Sequence, residues 1–423
     1  SKALLASGEL LHHIAHADKM GVTVGEGKPD WPAIQKRKDR VLKNLRGGIQ
    51  GLFKARKVAL FRGVGRLDGP GKVTVTDSDG KTETIGAAKV ILAAGSVPAR
   101  IPGWPSDPSL VCTSDEALHW DTLPESLLIV GGGVIGCEFA CMLQAMGVKV
   151  TVVEMMPRLL PEMDAELGPA LQKIFRQRKI TCHVDARVEE LTTVDGGIRA
   201  KLAGGEEVSA DRVLLAIGRR PATDDLGLET VGVERTQRGF VKVDSHMQTS
   251  ADGVYCIGDA NGGCLLAHAA SAHGITAVRH AMGEDATFDS PVPWAVYTFP
   301  EIAGVGMTEA AATEKGLPIS VGRFPIGHLG KAMAVNDTDG FVKVIRHRET
   351  DELLGVHLMG HNVTEIVAAA GTMLHTHADT HELAETVFAH PTISEAVKEA
   401  AEDALGAALH LPPRKIVRVE GDY

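Results

Sequence analysis

Leu127-Leu-Ile-Val130 is an unbroken apolar run that stops at Gly131. Four such residues predict a short apolar strand. Phe139 to Gly147 changes to helical spacing, and Val148-Lys-Val-Thr-Val-Val153 returns to β-branched strand character. Together they predict a βαβ unit. Its turn carries Gly131, Gly133 and Gly136 in the order G-x-G-x-x-G. The first glycine permits the tight turn, the second lets a pyrophosphate approach the backbone, and the third lets helix and strand pack closely. The phosphates would rest on the helix N-terminus, where free N–H groups and the helix dipole favour anions. Glu154 follows the second strand. It is placed to bond a ribose 2′-hydroxyl and to repel a 2′-phosphate, so NAD is expected over NADP.

The remaining pattern surrounds this unit. Ser1-Lys-Ala-Leu-Leu runs straight into helical spacing. Trp31-Pro32 opens a long helix, with Ile34, Val41, Leu42, Leu45, Ile49, Leu52 and Phe53 as its expected buried stripe. Lys36, Arg37, Lys38, Arg40, Lys43 and Arg46 fill the other faces and read as a solvated surface. From Val58 the period becomes that of strands. Val73–Thr76 and Thr82–Ile85 flank Asp79-Gly80, which predicts a hairpin. Lys89 to Ser96 predicts a buried strand ending in small residues, and Pro98, Pro102 and Pro105 then mark a linker. Beyond the βαβ unit, a helix is expected around Ala165 to Arg178, and short strands near Ile180, Ile198 and Val208. Arg212 to Gly218 repeats the apolar-then-glycine ending of the strand at Gly95, which suggests two related nucleotide-binding units. Gly253 to Asp259 places Gly258-Asp259 at a strand's carboxyl end, where ligands bind in open α/β sheets. The helix from Leu265 would aim its N-terminus there. After Pro293 the texture is mixed α+β: strands at Phe341–Ile345 and Leu353–Leu358, then helices at Thr364–His375, Glu382–Phe388 and Ile393–Leu405. In His390-Pro-Thr-Ile-Ser-Glu395, Thr392 and Glu395 have capping-box spacing, with the helix expected after Pro391. His390, just before it, is the candidate acid–base group.

Composition narrows the functional classes. The net charge of −10, with no basic tail, argues against nucleic acid or an anionic membrane surface as partner. No apolar run of about 18 residues, the length of a membrane span, occurs. Aromatics are only 4% and glycines number 47, which suits a sheet protein whose backbone approaches ligands. The six cysteines have neither zinc-site nor disulfide-framework spacing. Cys137 and Cys141 stand one helical turn apart and read as core thiols, since a bridge within a regular helix would be strained. His375, His377 and His381 lack matching acids, so no metal is expected.

The order Gly131–Glu138, Glu154, Gly218-Arg219-Arg220-Pro221, Gly258-Asp259, Leu265-Leu-Ala-His268 and His390-Pro-Thr-Ile-Ser-Glu395 resembles the pyridine nucleotide–disulfide oxidoreductases over essentially the whole chain. The resemblance implies an α/β protein with two Rossmann-like nucleotide-binding domains, the first truncated at its N-terminus, and a C-terminal α+β dimerisation domain. It divides the chain into 1–97, part of an FAD-binding domain; 98–230, NAD-binding; 231–295, the rest of the FAD-binding and central region; and 296–423, dimerisation. It further implies FAD and NAD as cofactors. Gly131, Gly132, Gly133, Val134, Ile135, Gly136, Glu138 and Glu154 would serve NAD, with Val188 and Gly218 in support. Gly65, Ala94, Gly95, Ser96, Asp259, Leu265, Leu266, Ala267 and His268 would meet FAD, and Lys2 with Glu138 would form an ion pair beside the flavin. His390 would be the acid–base for a dithiol, oriented by Glu395, and in this family the pair serves the partner subunit of a homodimer.

Within the family the motifs are most similar to the branch that oxidises protein-bound dihydrolipoamide and reduces NAD through FAD, the shared component of 2-oxo acid dehydrogenase complexes. That implies lipoyl domains as partners and a cytoplasmic setting, with the mitochondrial matrix as the alternative. A glutathione-type disulfide reductase is the other enzyme reading. Glu154 opposes it, because such reductases use NADPH. Two family features are missing: the glycine motif for the FAD pyrophosphate and the Cys-x-x-x-x-Cys pair. Smaller departures are Ala94, where Thr is frequent, and Phe299, where a polar residue is common. The expectation is a piece of a longer protein lacking a strand–turn–helix–strand unit on the order of 30–50 residues. The contrasting expectation is an NAD-binding dimeric chain without a redox centre.

Overall fold

The computed structural model describes residues 1–412. Residues 1–35, 103–216 and those from 291 onward form one unit, and residues 36–102 with 217–290 form a second. Residues 1–35, expected with the first nucleotide-binding domain, thus cluster with the unit that holds the glycine turn.

In the first unit, five parallel strands lie in the order Val111–Thr113, Arg212–Leu215, Ser126–Val130, Lys149–Val153, Thr181–His183. Ser126–Val130 is central, and because Leu127 and Ile129 pack into one core and Leu128 and Val130 into another, all four are buried. That is why the sequence there is continuous rather than alternating. The helix Val134–Ala145 follows the glycine turn, and the N-terminal helix Lys2–Ala15 packs on it through Leu4 and Leu5. A three-stranded antiparallel sheet, Val188–Val194, Gly197–Leu202 and Glu207–Ala210, covers another face with its alternate apolar residues.

The C-terminal part is a five-stranded antiparallel sheet ordered Trp294–Val296, Glu301–Gly306, Leu353–Gly360, Phe341–His347, Ile319–Pro325. All of Leu353–Gly360 is buried. The helices Val363–His375 and Glu395–Ala404 lie against this sheet through Val363, Val367, Ala370, Ala396, Val397 and Ala400.

A buried cation joins these two layers. Lys343, 1% exposed, reaches Asp164 at 2.8 Å, Glu166 at 2.7 Å and Glu309 at 2.6 Å. Burial pushes the Asp164 and Glu166 carboxyls up, but the hydrogen bond from Lys343 to Asp164, and those from Arg323 and Lys343 to Glu166, help hold both below the ordinary range. Burial pulls the Lys343 amine down, while the same carboxylates raise it overall.

In the second unit, Val64–Leu67, Lys72–Thr76 and Thr82–Gly86 form an antiparallel sheet, with Gly80 at positive φ in the expected hairpin turn. Val90–Leu92 pairs in parallel with Val254–Cys256, and Ser96–Pro98 pairs with Arg219–Pro221. The long buried strand expected over Lys89 to Ser96 is therefore two short, half-buried strands, because the chain turns at Gly95 with φ 72°. A second expectation also fails. Trp31–Ala55 is helical throughout, but Leu45, Ile49, Leu52 and Phe53 are exposed. Helical spacing sets which residues share a face, not whether another element covers that face.

Lys343→Met should lower unfolding free energy by about 3–5 kcal/mol, since it strands the buried Asp164 carboxylate. Urea denaturation would measure the loss, and adding Asp164→Leu should recover part of it. Asp164 and Glu166 are held low, so their contribution is complete above ordinary carboxylate values near pH 4 and falls as pH drops through the lowered values. The contribution of Lys343 is complete below the ordinary lysine value and is lost as pH rises through its raised value.

Candidate active site

The glycine turn is built by close approach. Gly131 has φ 109°, and a Cβ on Gly136 would sit 2.0 Å from the Gly131 carbonyl oxygen. Gly133 differs, because a Cβ there would meet nothing within 4 Å. Gly133 also precedes the helix without a side-chain cap, so the first helical N–H groups at Val134 and Ile135 meet no capping side chain. Glu154 is buried, and its Oε2 accepts the Gly132 N–H at 2.6 Å while Oε1 accepts the Met156 N–H at 2.7 Å. Each oxygen keeps a lone pair for a further donor. These residues fit a dinucleotide: an uncapped helix end, an open glycine and an oriented acid lie together. Val188 is placed in the hydrophobic core. Gly218 lies in the second unit, where its carbonyl accepts the Ala99 N–H.

Lys2 and Glu138 meet as expected. Lys2 Nζ is 2.7 and 2.9 Å from the Glu138 oxygens, and Glu138 is buried. Tyr297 completes the group without having been singled out by sequence. Its N–H donates to Glu138 Oε1 at 3.1 Å, and its ring lies 3.9 Å from the Lys2 ammonium. No motif around Tyr297 signals this, because the hydrogen bond is made by its backbone.

In the second unit, Ser96 Oγ donates to Asp259 Oδ2. Arg219 also joins them: its Nε donates to Ser96 Oγ at 2.6 Å and its Nη2 to the Ser96 carbonyl at 2.7 Å. Arg219 stood in the Gly-Arg-Arg-Pro stretch, but its contact with Ser96 depends on pairing of distant strands. Beyond Asp259 the helix Ala267–Ala281 begins after Leu266 with no side-chain cap, and Leu265 and His268 are exposed beside that end. Ala94 is exposed next to Gly95, and Gly65 is exposed on the strand Val64–Leu67 opposite Val75. An uncapped helix end above Asp259 fits the flavin end of FAD. Among the described residues the second unit has no counterpart of Gly131–Gly136 for the FAD pyrophosphate.

His390 is 77% exposed, and its Nδ1 is 2.9 Å from Glu395 Oε1. Glu395 Oε2 accepts the Thr392 N–H at 2.8 Å. Burial pushes the Glu395 carboxyl up, but these two hydrogen bonds bring it below the ordinary range. The expected capping box is only half formed. Thr392 Oγ donates to the Ala389 carbonyl instead, and the helix begins at Glu395 after Ser394. Glu395 thus steadies the chain before the helix and orients His390 at once. The six cysteines are free, with Cys137 and Cys141 buried as expected. Burial pushes the Cys141 thiol up to about 11, so it is a poor nucleophile.

A parallel sheet with an open glycine turn and an acid after the next strand defines a dinucleotide-binding protein. Residues 1–274 match the pyridine nucleotide-disulphide oxidoreductase family, and residues 292–401 match that family's dimerisation domain. The chain belongs to this family, whose cofactors are FAD and NAD. It is 39% identical to a dihydrolipoyl dehydrogenase of Bacillus subtilis, over 97% of this chain and 90% of that one. It is 35% identical to a mitochondrial dihydrolipoyl dehydrogenase of Pisum sativum, over 97% and 83%. Among solved structures, LpdA from Mycobacterium tuberculosis superimposes with a TM-score of 0.88 at 28% identity, covering 95% of this chain and 88% of that one. The HOCl-induced flavoprotein disulfide reductase RclA from Escherichia coli gives a TM-score of 0.81 at 25% identity, covering 95% and 88%.

Gly136→Ala should destabilise the first unit by about 1–3 kcal/mol, the usual cost of overpacking. Gly133→Ala, with open space around it, should change stability by no more than about 0.5 kcal/mol, the ordinary range of surface substitutions. Thermal unfolding of the two variants would separate the roles.

Proposed function

We propose that this protein is a dihydrolipoamide dehydrogenase, oxidising protein-bound dihydrolipoamide while NAD+ becomes NADH and one proton is released. The carrying observation is the exposed His390 held at Nδ1 by Glu395. Glu395 keeps the Nδ1 proton in place, so Nε2 is the free base that takes a dithiol proton. FAD bound by this chain would supply the two-electron carrier between dithiol and nicotinamide. Gly131, Gly132, Gly133, Val134, Ile135 and Gly136 hold the NAD pyrophosphate, and Glu154 receives the ribose. A 2′-phosphate would meet the Glu154 carboxylate, which opposes a glutathione-type reductase using NADPH. Ser96, Asp259 and the helix end at Leu265 to His268 would hold the flavin end of FAD. The working form is a homodimer serving lipoyl domains of 2-oxo acid dehydrogenase complexes, in a bacterial cytoplasm.

The second reading is an NAD-binding, dimer-forming chain without dithiol turnover. NADH formation from dihydrolipoamide and NAD+ by the FAD-loaded protein decides between them. In the enzyme, His390→Gln should lower kcat by about 100- to 10,000-fold. NADH binding without turnover would select the second reading, and full turnover by the His390 variant would remove His390 from the chemistry. Titration calorimetry should also show NADH bound more tightly than NADPH, with Glu154→Gln narrowing the difference.

A further inference from the structure

The helix Ala267–Ala281 buries one stripe, Ala269, His273, Thr276 and Ala277. His273 is the titratable member of that stripe and is 3% exposed. Its Nδ1 accepts the Gly258 N–H at 3.3 Å, and the Phe288 ring stands perpendicular to it with centroids 4.4 Å apart. Gly258 also approaches the helix one turn earlier. Its φ is 64°, and a Cβ on it would lie 3.0 Å from the Ala270 Cβ. Residues 270 and 273 are three apart and share a helix face. The turn that carries Asp259 is therefore seated on this helix by a close backbone approach and a hydrogen bond. A ring nitrogen accepts an N–H only while it carries no proton of its own. An imidazolium has N–H groups at both nitrogens, and would leave the Gly258 N–H facing another donor.

We propose that His273 is a positioning residue for the flavin end of the site: its neutral ring latches the Gly258–Asp259 turn to the helix that begins after Leu266, and protonation releases the latch.

The charged groups around the ring are engaged elsewhere or face solvent. On the turn, Asp259 accepts from Ser96 Oγ and lies 3.9 Å from Arg219. On the helix, Arg279 is paired with Glu284, His280 is bonded to the Tyr255 hydroxyl and stacks on His246, and His268 is exposed. On the strand before the turn, burial pushes the Cys256 thiol up to about 12 and raises the Tyr255 hydroxyl, so both stay neutral. Beside Phe288, Asp285 and Asp289 are exposed. Burial alone pulls the His273 imidazole below its ordinary value. The latch is therefore complete above the ordinary histidine value of about 6.5, and is lost as the pH falls from there through the lowered value.

The inference rests on the reading of Asp259 and the helix end as the flavin site, but its first readout needs no flavin. Hydrogen–deuterium exchange of the full chain would follow the segment containing Gly258, corrected for the pH dependence of free-amide exchange. At pH 7, His273→Leu should lose about 3- to 10-fold in protection, the net contribution of one hydrogen bond. His273→Gln keeps an acceptor that takes no proton, so it should hold protection near that of the unsubstituted chain. As the pH falls toward 5, the unsubstituted chain should lose protection and His273→Gln should not. Exchange along the rest of Ala267–Ala281 controls for a loosened helix. The second readout is FAD affinity by quenching of flavin fluorescence, which should weaken in the same variant and over the same pH range. Equal protection in His273→Leu and the unsubstituted chain overturns the latch. Parallel pH profiles in the unsubstituted chain and His273→Gln overturn its release by protons. Equal FAD affinity in His273→Leu and the unsubstituted chain overturns the positioning role. No FAD binding by the unsubstituted chain at any pH would overturn the flavin reading and leave the exchange result standing.

Discussion

A backbone oxygen decides what can stand at position 136. The Gly131 carbonyl lies 2.0 Å from where a side chain there would begin, so strand, turn and helix close on one another only through glycine. That closure brings the helix end over the carboxyl edge of the parallel sheet, and it places Gly132 where its N–H meets Glu154. The acid, the open glycine and the uncapped N–H groups are consequences of one backbone contact. The N-terminal helix depends on it indirectly, because it packs on the helix that the turn launches.

Charge does for the rest of this unit what backbone approach does for the turn. Lys343 sits on a strand of the antiparallel sheet, and Asp164 and Glu166 belong to the segment that follows the dinucleotide strands. A cation surrounded by three carboxylates is directional where apolar packing is not. It ties a strand of the antiparallel sheet to the segment after the dinucleotide strands. Lys2 and Glu138 repeat the arrangement on a smaller scale, with Tyr297 supplying both a ring face and an N–H.

The dinucleotide unit was legible because its rules are local: a continuous apolar strand, glycines at fixed offsets and an acid after the second strand. The His390–Glu395 pair was legible for the same reason, being five residues apart. What escaped was long-range. Arg219 reaches Ser96 across 123 positions, and Tyr297 reaches Glu138 across 159. Neither has a spacing to read. The stripe on Trp31–Ala55 shows the complementary limit: periodicity gave the helix correctly, but the exposure of Leu45, Ile49 and Leu52 depends on what lies beside it. The half-formed box at Thr392 shows a third, since a T-x-x-E spacing does not decide which acceptor the threonine hydroxyl chooses.

Cys137 and Cys141 lie on the helix behind the glycine turn, fully enclosed, with Cys137 donating to the Gly132 carbonyl. A thiol so enclosed reacts with an alkylating reagent only when its surroundings open. The rate of that reaction is therefore a clock for breathing of the nucleotide-binding turn. A dinucleotide seated on the turn would slow it, through a pair of atoms that never touch the ligand.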